Sequence, residues 1–227
     1  MSCINIAHRG ASRDAPENTL EAFELAVEQG AQMIETDLHL TADAQVALYH
    51  DDDIDGTPVG DLSLAALRER LPGAPTLLEL LDGFGGRIAL NLEFKRPQAN
   101  AYPGLEAIAL REIESRGLLE QTLFSCFYDG VLATLRGLSN EARIGLLVSP
   151  RAPVAIEQRA NVIAAEAIHP ERGLATRELI ESAHHRGFQV NVYTVDDPDE
   201  QRALVALGVD GIFTNIPAQL RDILGEA

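Results

Sequence analysis

Cysteine is nearly missing: Cys3 and Cys126 are the only two in 227 residues. With no CxxC pair, they can build neither a disulfide framework nor a cysteine zinc site, and both read as free thiols of a reducing, cytoplasmic setting. Tryptophan is absent and aromatics make up 5% of the chain, which argues against a broad aromatic groove. Basic residues are scarce, 18 against 35 acidic ones, for a formal charge of −17. Such a surface repels nucleic-acid phosphates, so a phosphate-bearing substrate needs a local positive centre, either Arg/Lys or a bound metal ion. No apolar run approaches the ~18 residues of a membrane span, so no stable membrane insertion is expected. Residues 1–9 also lack the basic and apolar segments of a secretory signal. No GxGxxG follows a strand and no GxxxxGK[ST] occurs, so nucleotide-binding open sheets lose their marker.

What is present is a chain with 46% hydrophobic residues, enough to bury a sizeable core. No linker, low-complexity tract or charge block divides it, so residues 1–227 are expected to form a single domain. Short β-type runs alternate with helical patterns. The strand candidates are 4–8, 33–38, 46–50, 88–94, 122–124, 144–148, 162–165, 189–194 and 211–214. Helical patterns cover 17–29, 105–116, 129–138, 175–186, 198–207 and 218–224. Pro16-Glu17-Asn18-Thr19 opens the first helix and Gly30 stops it, while Asp197-Pro198 and Gly208 bound a later one. Strand–helix repetition implies parallel strands. Only seven residues separate Leu38 from Val46, too few for a crossover helix, so that pair is expected to be a hairpin. Removing its return strand leaves eight. The fold class expected is α/β, a (β/α)8 barrel with a short insertion after the second strand region.

In such a barrel the C-terminal ends of the strands share one mouth, where chemistry is usually found. His8 and Arg9 end the first strand, and Glu35 and Asp37 end the second, two apart and so on one face. His50 ends the hairpin's return, and Glu93 and Lys95 end the next strand, again two apart. Each residue has a bland reading as a bonded structural histidine or an ion pair. Jointly they would require several buried like-charged carboxylates without a metal, which is costly. Glu35, Asp37 and Glu93 are therefore read as ligands of a hard divalent cation, Mg²⁺ or Ca²⁺. Two flanking histidines can divide the proton work of ester cleavage, one accepting and one donating.

These residues resemble the glycerophosphodiester phosphodiesterase family, one of the phosphodiesterase barrels similar to phosphatidylinositol-specific phospholipase C. The resemblance rests on His8-Arg9-Gly10, Pro16-Glu17-Asn18-Thr19, Glu35-Thr36-Asp37, Thr41-x-Asp43, His50-Asp51 and Glu93-x-Lys95. It continues through Ser125-Cys126-Phe127, Val192-Tyr193-Thr194-Val195 and the run from Gly208 to Pro217. It implies a TIM-type barrel that hydrolyses small-molecule glycerophosphodiesters, such as glycerophosphocholine and glycerophosphoethanolamine, to an alcohol and sn-glycerol 3-phosphate with Mg²⁺ or Ca²⁺. It further implies His8 and His50 as the catalytic acid/base pair, with His8 as base and His50 as acid. Glu35, Asp37 and Glu93 look like the metal ligands, and Arg9 and Lys95 like the phosphate contacts. Phe127 and Tyr193 are read as an apolar wall for the glycerol or alcohol part. The segment after His50 lacks the family's Arg-Thr-Thr element and is short, Tyr193 stands where Trp is common, and Asn215 stands for a frequent Asp; these departures bear on head-group specificity.

Three rival readings stand beside this one: a lysophospholipase D-type phosphodiesterase, a non-catalytic ligand-binding barrel, and a Schiff-base barrel using Lys95. His39 reads as surface or rim, and His184 and His185 as the polar end of a helix. For His169, lining the mouth is the lesser of two readings.

Overall fold

The computed structural model describes residues 3–96 and 102–225. Met1 and Ser2, part of the N-terminal stretch read above, lie outside the described residues. The strands are β1 Ile4–His8, β2 Met33–Leu40, β3 Val46–Leu48, β4 Asp53–Ile54, β5 Thr57–Pro58 and β6 Ala89–Phe94. They continue as β7 Thr122–Cys126, β8 Arg143–Val148, β9 Ala167–Pro170, β10 Gln189–Val192 and β11 Gly211–Thr214. The helices are α1 Leu20–Glu28, α2 Leu64–Arg70, α3 Leu77–Phe84, α4 Leu105–Ser115 and α5 Asp129–Leu138, then α6 Ile156–Val162, α7 Arg177–His185, α8 Pro198–Leu207 and α9 Pro217–Leu224.

Eight strands, in the order β1-β11-β10-β9-β8-β7-β6-β2, pair in parallel, and β1 pairs with β2 to close the barrel. β3 pairs antiparallel with the far end of β2, so the short link forms the expected hairpin. Local chemistry sets the helix boundaries. The Thr19 hydroxyl accepts from the Ala22 N–H, which starts α1 three residues later than the Pro-Glu-Asn-Thr run suggests. Asp197 caps α8 with Pro198 in its first turn, and Gly208 closes it at φ +86°.

Most of the apolar core lies between the barrel wall and its helices, with Phe94 and Phe124 stacked 5.5 Å apart. Inside the barrel Ile6, Met33 and Phe213 form a smaller cluster. A third cluster, Ala47, Val59, Leu62, Leu67 and Ala74, belongs to the insertion carrying β3–β5 and α2.

Two expectations are corrected. The run 162–165 is not a strand: Ile156–Val162 is helical, with Val162 83% exposed, and the strand begins at Ala167. β-branched content suggested a strand, but packing of Ala160 and Ile163 against the core prevails. His39 is not at the surface. It continues β2 in register with Ala47, fully buried beneath Tyr102, whose hydroxyl lies 2.7 Å from its Nδ1.

Candidate active site

Register explains how the side chains meet. His8 pairs with Glu35 across β1–β2, and Asp37 pairs with Glu93 across β2–β6, so the carboxylates enter the mouth on adjacent strands. Oxygen atoms of Glu35, Asp37 and Glu93 all lie within 4.8 Å of one another, and all three residues are buried. His8, Arg9, Glu35, His50, Glu93, Lys95, Phe127 and Tyr193 line one pocket of about 220 Å³ at this mouth. Asp37 sits directly behind it, 1% exposed.

Arg9 ends β1 in the left-handed region (φ +57°), which aims its N–H at Glu35 Oε2, 3.0 Å away. Its guanidinium spans Glu17 at 3.1 Å and Asp37 at 3.2 Å. The following turn requires glycine: Gly10 has φ +83°, and a Cβ there would come 2.6 Å from the Ala22 backbone. The Lys95 ammonium lies 2.8 Å from Glu93 and 2.9 Å from Asp37. Asn18, also left-handed, donates to Asp37 Oδ2 at 2.9 Å and accepts from the Thr36 hydroxyl at 2.7 Å. Arg9 and Lys95 are thus held by carboxylates while both still line the pocket.

The charge balance is unfinished. Two cations face three buried carboxylates, and among the described residues no further Lys or Arg lines the pocket. Burial, with Asp37 and Glu93 as like-charged neighbours, drives the Glu35 carboxyl well above the usual range, and burial raises Glu93 as well. Asp37 resists its own burial: Lys95 and Arg9, with the Asn18 amide, hold it down to about 2. A close set of carboxylate oxygens short of positive charge fits a hard divalent cation. The residues present could therefore hold Mg²⁺ or Ca²⁺.

Both histidines are oriented through Nδ1. Asn215 donates its amide to Asp196 at 2.7 Å, so its Oδ1 faces His8 Nδ1 at 2.7 Å as an acceptor. The His8 ring proton then sits on Nδ1 and leaves Nε2 as a lone pair. Burial, aided by Arg9, lowers the His8 imidazole to about 4 and keeps it neutral at pH 7. His50 is half-buried beyond the end of β3, and its Nδ1 lies 2.7 Å from Asp51. Phe127 and Tyr193 meet edge to face at 5.9 Å, and the Tyr193 hydroxyl donates to the Val148 carbonyl. A second hollow of about 410 Å³ shares Phe127 and Leu147 with the pocket.

Sequence reasoning missed Asn91 and Ser125, which line the pocket, and the Asp196–Asn215 pair that orients His8. Asn91 stands two before Glu93 on one strand and so shares its face; that spacing was the available signal. His169 is fully buried inside the barrel and does not line the pocket.

A closed parallel barrel with a polar pocket at the strand C-termini defines the chain as a (β/α)8 barrel of the enzyme type. The model of the glycerophosphoryl diester phosphodiesterase family matches residues 8–219, and the chain belongs to that family. A glycerophosphodiester phosphodiesterase of Caldanaerobacter subterraneus is 30% identical, with 99% of this chain and 98% of the relative covered. One of Bacillus altitudinis is 31% identical over 93% and 94% of the two chains. Among solved structures, an Oleispira antarctica phosphodiesterase in complex with the product sn-glycerol-3-phosphate is 26% identical. It superimposes with a TM-score of 0.83 over 99% of this chain and 98% of that one.

Proposed function

We propose that this protein hydrolyses glycerophosphodiesters, among them glycerophosphocholine and glycerophosphoethanolamine, to an alcohol and sn-glycerol 3-phosphate. The observation that carries the reading is the gathering of two Nδ1-anchored histidines and three buried carboxylates around one small pocket. His8 Nε2 takes the proton of the attacking hydroxyl, whether of water or of the glycerol 2-hydroxyl on a cyclic route. His50, held through Nδ1 by Asp51, gives a proton from Nε2 to the leaving alkoxide, so one proton enters the site as one leaves. Arg9 and Lys95 each keep an N–H beyond their carboxylate contacts, and these donate to phosphoryl oxygens. Glu35, Asp37 and Glu93 would hold the Mg²⁺ or Ca²⁺, which when bound supplies Lewis-acid stabilisation of developing charge. Phe127 and Tyr193 form the apolar wall, and the hollow beyond Phe127 and Leu147 receives the alcohol half. That hollow also favours a second reading, a lysophospholipase D-type activity on lipids retaining one acyl chain.

The test is release of sn-glycerol 3-phosphate from glycerophosphocholine and glycerophosphoethanolamine, with Mg²⁺, with Ca²⁺ and in EDTA, alongside His8→Ala. Metal-dependent release that disappears in the variant is expected. No release with either metal overturns the reading, and cleavage confined to lysophosphatidylcholine shifts it to the second.

A further inference from the structure

Below the carboxylates part of the barrel interior, beside the Ile6, Met33 and Phe213 cluster, is polar where layers of Val, Ile and Leu are the norm. One polar or small residue from each of six consecutive strands builds this band: Asn91, Ser125, Gly145, His169, Asn191 and Gly211. Ser125 is in register with Gly145, and Asn191 with Gly211. The glycines make the room. A Cβ on Gly145 would lie 2.5 Å from the His169 ring, and one on Gly211 would lie 2.6 Å from Asn191 Oδ1. All four polar side chains are at most 2% exposed.

Their hydrogen bonding is incomplete in a patterned way. Asn91 donates to the Ser125 hydroxyl at 2.8 Å, which leaves the serine proton to give and Asn91 Oδ1 without a donor. Asn191 donates to His169 Nε2 at 3.2 Å, so the ring proton sits on Nδ1, which also has no partner, and neither has Asn191 Oδ1. Each unmet buried group costs about 1–3 kcal/mol, and three in one band mark a place for a guest. The open positions are two donors and two acceptors, with no formal charge. An anion meets two carbonyl oxygens there and a cation meets two protons; a hydroxyl, donor and acceptor at once, matches both. Asn91 and Ser125 line the pocket, whereas His169 and Asn191 are buried and lie outside its lining.

We propose that the pocket end of this band, Asn91 with Ser125, is a hydroxyl-binding floor that takes a free hydroxyl of the glycerol half when the phosphoryl group is seated beside the carboxylates above. The assignment rests on the glycerophosphodiester reading and adds how the glycerol would be told from other alcohols. Water offers the same chemistry, so the test separates the two guests.

Calorimetric titration with Mg²⁺ present compares sn-glycerol 3-phosphate, propyl phosphate and inorganic phosphate as ligands of the wild-type protein. The floor predicts that propyl phosphate, which lacks both hydroxyls, binds at least about fivefold more weakly than sn-glycerol 3-phosphate, the fold-change of one neutral hydrogen bond. Ser125→Ala and Asn91→Leu should each weaken sn-glycerol 3-phosphate about fivefold while inorganic phosphate changes less than twofold. Equal binding of the two organic phosphates by the wild type overturns the proposal and leaves water as the guest. So does a variant that loses affinity for sn-glycerol 3-phosphate and inorganic phosphate alike. A protein that shows the hydroxyl preference yet cleaves no glycerophosphodiester refutes the enzyme reading and upholds the floor.

Discussion

Acid should destabilise this protein through a residue far from solvent. His169 is fully buried, and burial alone lowers its imidazole from 6.5 to about 3. The sign follows from proton counting: between those values the unfolded chain binds a proton that the folded chain refuses, so stability falls as pH falls. The full contribution is present above pH 6.5. At pH 5 the gap of one and a half units is worth about 2 kcal/mol at 1.36 kcal/mol per unit. For a chain of this size that is roughly 4–8 °C in Tm. Urea unfolding followed by circular dichroism at pH 7, 6 and 5, on metal-free wild type and His169→Gln, isolates the effect. The variant should be less stable throughout, but its stability should fall about 2 kcal/mol less between pH 7 and 5. Parallel pH curves for the two proteins would refute the reasoning, because His169 would then accept its proton without unfolding.

Other outcomes follow from the mouth of the barrel. His50→Ala should lower kcat at least ~100-fold, as expected for a general acid; a near-wild-type rate would place the acid elsewhere. Glu35→Ala should abolish calorimetric Mg²⁺ or Ca²⁺ binding while the circular dichroism spectrum is retained, and unchanged affinity would remove Glu35 from the ligand set. Gly10→Ala forces a Cβ into the Ala22 backbone at a left-handed position. It should cost ~3 kcal/mol, or roughly 6–12 °C in Tm; a smaller drop would show that the turn after β1 can yield.

The barrel was legible because its strand ends carry charge that apolar strands do not otherwise acquire, and i, i+2 spacing put Glu35 with Asp37 and Glu93 with Lys95 on shared faces. The insertion's helix and the barrel helix that follows it were legible too but went unread: Ser63 caps α2, and Thr76 with Glu79 forms a capping box for α3. The burial of His39 was not legible, because its cover is Tyr102, sixty-three residues away in the chain. The engagement of Arg9 and Lys95 by carboxylates depends likewise on distances across strands. Spacing along one strand reports a shared face; which side chains on that face touch is decided by the shear between strands.

The hairpin return has a consequence for how the protein fails and changes. His8 stands on a strand paired on both edges, whereas His50 follows β3, which pairs with the far end of β2 and bridges from Ala47 to Thr76, and the Tyr49 N–H donates to the Asp37 carbonyl. The insertion has its own cluster of five buried apolar residues, while Val46 and Leu48 of β3 pack into the main core. The smaller cluster is therefore expected to open at a lower free energy than the wall. On warming, activity should then be lost before ellipticity and return on cooling without the barrel having refolded; coincident loss of the two would refute this. Substitutions in the smaller cluster should therefore put the scaffold at less risk than those in the wall, which leaves the segment around His50 the part of the mouth most open to change.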